Sequence, residues 1–154
     1  MVKSKKRETI KANTEKWSER VWALGWAGVP DVLLKYQDWL GLGPLDMNLI
    51  VQLINHWWEA DAPPFPSKKT LAERVGRSES AVQRSISKME RAGYIKREDR
   101  FTASGGRSSN SYDLGGLVKA VQIVAAYEED QRSGKAVKDR AVIIKEIREE
   151  LVRL

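Results

Sequence analysis

Residues 70–86, TLAERVGRSESAVQRSI, place two runs of helix-forming residues on either side of one glycine. Ser67 and Ser78 are residue types whose side chains accept the free N–H groups at a helix start, and Gly76 suits the left-handed backbone at a helix end. The spacing predicts one helix over Lys68–Val75 and a second from Ser78 to about Ala92, stopped by Gly93. Two helices joined this tightly need a small residue at their crossing, and Ala72 stands four places before Gly76. Val82, Ile86 and Met89 recur at i, i+4, i+7, which commits that face of the second helix to packing against Leu71 and Val75. The opposite face carries Ser80, Gln83, Arg84, Ser87, Lys88 and Arg91.

That outer face consists of hydrogen-bonders and cations. Gln can pair with adenine and Arg with guanine in a major groove, each bidentate and worth ~1–3 kcal/mol of discrimination. Bases are read mainly from the N-terminal half of such a helix. Ser80, Gln83, Arg84 and Ser87 are therefore the candidate readers, with Lys88 beside them. Ser67, Lys68, Lys69 and Thr70 surround a helix N-terminus, where backbone N–H groups and the helix dipole favour an anion. With Arg77, Ser78 and Arg91, and with Arg97, Arg100 and Arg107 around the following loop, they form the candidate phosphate-contacting set. A solvated face or a protein-interaction module would show a similar composition. The protein-interaction reading predicts that Gln83, Arg84 and Lys88 are replaceable.

Charge follows the same partition. Residues 1–7 hold four basic groups and no acids. Residues 8–66 hold four basic and eight acidic groups, 67–114 eleven and six, and 115–154 eight and seven. The excess positive charge thus lies at the N-terminus and in the block around the opening stretch, a field suited to a polyanion.

Outward from the helix pair, YIKRE (94–98) alternates as a strand, DRFTASGGRSSN (99–110) is a Gly/Ser-rich loop, and SYDL (111–114) can return as its partner. Upstream, PLDMNLIVQLINHWWEAD (44–61) is apolar round more than half a helix surface, which marks a central helix. PDVLLKYQDWLGLG (30–43) is a shorter helix stopped by glycines. His56, the lone histidine, reads as a packing or hydrogen-bonding residue. The segment from Trp17 to Trp26 is expected to be extended or irregular, and the tryptophans are expected to be core. GGLVKAVQIVAAYEEDQ (115–131) is a further helix, with the acids of YEED and of REE (148–150) on solvated faces. The fold class is mainly α with a small β-hairpin. It is divided into a flexible basic arm (1–16), a central domain (17–133, wing at about 93–114) and a C-terminal helix (134–154).

PFPSKKTLAERVGRSESAVQRSISKMERAGYIKR, followed by GGRSSNSYDL, resembles the winged helix-turn-helix proteins of bacteria and their mobile elements, a group of transcriptional regulators and plasmid or phage replication initiators. The proline-serine lead-in, the TLA first helix and the VQR second helix carry the resemblance, which spans roughly residues 26–117. It implies a winged helix-turn-helix fold and double-stranded DNA as partner. Initiators of this kind carry a second sizeable domain. About forty residues follow the wing here, so the resemblance favours a small regulator.

Both ends invite partners. Lys3, Lys5, Lys6 and Arg7 could track phosphates or enter a minor groove. Val137, Ile144 and Leu151 lie at seven-residue spacing with Ile147 and Leu154 as a companion series, a stripe that predicts a homodimer through the C-terminal helix. Packing back on its own domain is the other reading, and contact with RNA polymerase or a replication partner stays open. No cofactor or metal is expected: there is no cysteine, only one histidine, and no phosphate-loop motif. No apolar run reaches the ~18 residues of a membrane span. The basic N-terminus lacks the apolar stretch of a secretory signal. The expected location is the bacterial cytoplasm, at nucleoid or plasmid, without membrane.

Overall fold

The computed structural model describes residues 2–154. In chain order the elements are α1 (Val2–Trp17), α2 (Glu19–Ala23), α3 (Asp31–Lys35), α4 (Pro44–Asn55), α5 (Lys68–Val75), α6 (Glu79–Arg91), β1 (Lys96–Glu98), β2 (Ser111–Asp113), α7 (Gly115–Arg132) and α8 (Arg140–Val152). α4, α5 and α6 enclose the centre of the core, where Leu49, Ile50, Leu53, Leu71, Val82 and Ile86 are inaccessible to solvent. α7 and α8 close it from the other side with Leu117, Ala120, Val124, Ile143 and Ile147.

The junctions follow local chemistry. Ser67 Oγ accepts the Thr70 N–H at 3.0 Å, and Ser78 Oγ accepts the Ala81 N–H at 3.1 Å. Caps of this kind are each worth ~1 kcal/mol. Gly76 turns the chain at φ 64°, and the Arg77 N–H reaches back to the Ala72 carbonyl. Gly93, at φ 86°, ends α6: the Tyr94 N–H bonds the Met89 carbonyl and the Gly93 N–H bonds the Glu90 carbonyl. This double closure needs a left-handed residue at its centre. The chain then enters β1, which pairs antiparallel with β2 in the register Lys96–Asp113, Arg97–Tyr112, Glu98–Ser111. The proline-rich connector lies on the outer side of β2, where the Tyr112 N–H donates to the Pro64 carbonyl at 2.9 Å. Prolines have no N–H to return, so no third strand forms.

Several expectations are corrected. Residues 2–17 form a solvent-exposed helix where a flexible arm was expected. Lys, Arg, Glu and Ala favour it, and the Thr9, Asn13 and Thr14 side chains each donate to a carbonyl four residues back. Trp17–Trp26 is not irregular throughout: Ser18 caps the short α2. The tryptophans are not uniformly core. Trp58 is 88% exposed and Trp26 65%, while Trp39 packs among Tyr36 and Tyr127. The last helix begins at Arg140 instead of 134, and residues 135–139 have no regular structure.

The heptad stripe is also divided. Ile147 and Leu151 are buried within the chain together with Ile143, and Ile144 is half-buried, leaving Val137 and Leu154 exposed. Residues 143, 147 and 151 recur at helical spacing on the side facing α7 and Gly93, whose backbone lies against Leu151. This is the intramolecular packing that so short a helix finds sooner than a second chain. Among the described residues, no helix is long and apolar enough to cross a membrane.

Candidate nucleic-acid interface

α6 divides its residues cleanly. Ala81, Val82, Ser85, Ile86 and Met89 are buried, while Ser80, Arg84 and Arg91 are exposed and Gln83 and Ser87 half-buried. Ser80, Arg84, Ser87 and Arg91 recur at i, i+4, i+7, i+11, which sets them in one row along the outward face. Gln83 donates through Nε2 to Ser87 Oγ at 3.0 Å, so these two present their remaining polar atoms as a pair. Arg77, Arg84 and Arg91 are exposed and, among the described residues, paired with no carboxylate. Lys68 and Lys69 stand exposed at the start of α5, Lys69 within 4.0 Å of Glu73. The Ser67 hydroxyl is engaged in the cap and with Thr70 Oγ1. A shallow groove of about 570 Å3 runs past the turn between Lys69, Glu73, Arg77, Ser78 and Glu79.

Lys88 is placed differently from the other expected readers. Its ammonium turns to Asp46 Oδ2 at 2.6 Å, and the Ser85 hydroxyl donates to the other oxygen of the same carboxylate. Asp46 lies in the first turn of α4, after Gly43–Pro44, and its carboxylate also accepts the Gly43 N–H at 2.8 Å. Burial alone would push this carboxyl up. The Lys88, Ser85 and Gly43 donors outweigh burial and hold it below the usual carboxylate range. Lys88 is thus a strut between α6 and α4, its ammonium paired with a buried carboxylate while about half of its side chain stays exposed.

Arg97 is likewise not the free phosphate cation expected. Its Nε donates to Glu90 Oε2 at 2.9 Å, its second guanidinium nitrogen bonds the same oxygen, and its backbone N–H meets Oε1 at 3.2 Å. The guanidinium holds the Glu90 carboxyl below its ordinary value. The pair clips β1 to the last turn of α6 and so fixes the hairpin relative to the outward row. Arg107 meets Asp99 at 2.7 Å on the exposed loop, and Arg100 lies 3.8 Å above the Phe65 ring. Lys3, Lys5, Lys6 and Arg7 are exposed on α1.

A second buried carboxylate lies away from this face. Glu128 on α7, expected to be solvated, is buried. It accepts from Lys35 Nζ at 2.9 Å on both oxygens, from Arg132 Nε at 2.7 Å and from the Tyr36 hydroxyl. The Tyr36 hydroxyl, then Lys35 and Arg132, hold its pKa at about 2. Burial pushes the Tyr36 hydroxyl up. The histidine reading agrees with the structure: His56 ends α4 and its Nδ1 lies 2.8 Å from the Gln52 carbonyl.

Two helices at a glycine turn, an outward polar row and a clipped hairpin are now in place, and residues 40–95 match the family described as helix-turn-helix domain. The chain carries a winged helix-turn-helix domain. Its fold is similar to the crystal structure of the N-terminal domain of the DnaD protein from Geobacillus kaustophilus, with 23% identity, a TM-score of 0.52, and coverage of 75% of this chain and 92% of that one. A possible transcriptional regulator from Methanosarcina mazei gives 20% identity and a TM-score of 0.43 over 68% of this chain and 82% of that one. No curated protein matches the chain. At its 23% identity the likeness to the DnaD domain is one of fold, and the helix-turn-helix match accounts for α4–α6.

Proposed function

We propose that the chain is a sequence-specific double-stranded DNA-binding protein acting as a transcriptional regulator, with α6 in the major groove. The observation that carries this reading is the outward row Ser80, Arg84, Ser87 and Arg91, whose arginines pair with no carboxylate among the described residues while the opposite side of α6 is locked into the core. Ser80, Arg84 and the Gln83–Ser87 pair face the base edges. Lys68, Lys69, Arg77 and Arg91 contact phosphates, and Arg100 and Arg107 serve the wing. Lys88 and Arg97 act indirectly, by fixing α6 to α4 and the wing to α6. Where two copies occupy paired half-sites, the apolar surface still exposed for contact near the C-terminus is Val137, Val142, Val152 and Leu154. Origin binding uses the same face, and no feature of the site selects it over regulation.

The test is selection from a randomised duplex library at one fixed salt concentration, with sequencing of the bound fraction. The wild type is expected to enrich a defined motif, and a Gln83→Ala/Arg84→Ala variant to lose it while remaining folded. Symmetry of the motif reports whether two copies bind together. No enrichment by the wild type overturns sequence-specific recognition.

A further inference from the structure

The chain has two phenylalanines, Phe65 and Phe101, and both are on the surface, 55% and 67% exposed. They flank one side chain: the Arg100 guanidinium lies over the Phe65 ring, and Phe101 is the next residue. Neither contributes to the core, so packing does not explain them. The surface around them is nonetheless built. Phe101 and Arg107 face each other across an isolated antiparallel bridge that closes the tip of the hairpin. Within the tip the Thr102 N–H donates to the Gly106 carbonyl at 2.7 Å, the Gly105 N–H to the Thr102 carbonyl at 2.9 Å, and the Gly106 N–H to Thr102 Oγ1 at 3.0 Å. Gly105, at φ 86°, supplies the left-handed residue this turn requires. At the base of the hairpin, the Ser109 hydroxyl donates to the Phe65 carbonyl at 2.9 Å and Arg97 clips β1 to Glu90. The backbone that carries Phe65 and Phe101 is therefore tied to β2 and, through β1, to α6.

An exposed phenylalanine on a rigid tip, with arginines beside it, has the chemistry of an apolar wedge that enters a minor groove and partly unstacks a base step. We propose that, in the duplex held by α6, Phe101 inserts from the minor-groove side between two base pairs while the stacked Arg100–Phe65 pair braces the wing against the sugar–phosphate wall. This rests on the DNA-binding reading above and adds to it a deformed duplex as the preferred partner. Pyrimidine–purine steps unstack most easily, so the site selected should carry one, such as TA, where the wing lands.

The probe is a short duplex of alternating T and A, which offers a TA step at every second base step, with adenines replaced by 2-aminopurine. Binding is followed by anisotropy at low salt, and unstacking by 2-aminopurine fluorescence. The wild type is expected to raise the fluorescence severalfold on binding. Phe101→Ala should abolish that rise with little loss of affinity, since phosphate contacts dominate binding to such a duplex. Phe101→Leu should restore it in part. Because Phe101 is exposed, unchanged thermal midpoints verify that the variants fold. A bound duplex with no fluorescence change, a Phe101→Ala response equal to the wild type, or tighter binding of a strand that cannot pair with itself, such as oligo-dT of the same length, overturns the wedge. The first two results leave major-groove recognition standing. Absence of binding to any duplex overturns both readings.

Discussion

Asp46 and Glu128 are two buried carboxylates with similar surroundings and different duties. Both are about 5% exposed, both accept from a lysine whose side chain is about half exposed, and both carry a hydroxyl donor. Asp46 reaches from α4 to Ser85 and Lys88 on α6, beneath the outward row. Glu128 reaches from α7 to Lys35 and Tyr36 at the end of α3, and to Arg132 one turn along its own helix, and touches nothing on α6. The same chemistry thus sets the reading helix in one place and closes the body of the domain in the other. The difference teaches that burial of a charge here marks a joint between helices, and that the joint's location decides whether function feels it.

Removing Asp46 should produce the largest effect. Asp46→Ala leaves the Ser85 hydroxyl and the Gly43 N–H without their acceptor and frees Lys88 to solvent. Stranded buried donors cost ~1–3 kcal/mol each, so a total loss of about 2–3 kcal/mol is expected after partial hydration. Urea denaturation with an unchanged slope measures it. DNA affinity should fall as well, at protein concentrations where the variant is fully folded, because α6 loses its strut to α4. Undiminished affinity in a folded Asp46→Ala protein would break the proposed link between this carboxylate and recognition.

These joints explain how much was readable from sequence alone. The helix pair was legible because its signals are local: Ser67, Gly76, Ser78 and Gly93 mark ends within a few residues of the elements they terminate, and Val82, Ile86 and Met89 carry the period. The Glu90–Arg97 clip lies seven residues apart across a turn and could have been anticipated from it. Asp46 could not be paired with Ser85 and Lys88, nor Glu128 with Lys35 and Tyr36, since these partners lie 39–42 and 92–93 residues away and the types are those of any solvated helix. Lys88 therefore reads as an outward base-reading candidate until Asp46 is seen beneath it. The exposed tryptophans failed as core candidates because α1, α2 and the connector extend away from the centre that α4–α7 already fill. Ile144 and Leu151 show the converse: a heptad spacing is also two turns of an ordinary packed helix.

An acid titration separates the two carboxylates further and should give an intermediate effect. Glu128 is held at about 2 in the folded protein, from an ordinary value of 4.5. A carboxyl depressed on folding binds its proton more readily in the unfolded chain, so its contribution is full above the ordinary value and is lost as pH falls towards about 2. Thermal unfolding of the wild type should therefore weaken between roughly pH 5 and pH 2. Glu128→Gln should be less stable at neutral pH and should fall less steeply through that window. Its affinity for the selected duplex should match the wild type at neutral pH. A Glu128→Gln protein that loses DNA binding as Asp46→Ala does would erase the distinction between the two joints.

The smallest expected effect bears on Lys88 itself. Lys88→Met keeps most of the aliphatic stem and removes the ammonium, whose side chain is 52% exposed, so the loss of stability should be no more than ~1 kcal/mol. The more telling readout is specificity. A residue that reads a base edge costs affinity at one position of the site and relaxes the motif there, while a residue that only holds the helix weakens all sequences alike. Lys88 points its charge at Asp46, beside the row formed by Ser80, Arg84, Ser87 and Arg91. The expected result is a uniform, modest loss across the selected sequences with an unchanged motif. The same selection with Arg84→Met should relax one position sharply. If Lys88→Met relaxes a position instead, the ammonium leaves Asp46 when DNA arrives, and the carboxylate under α6 holds the lysine only in the free protein.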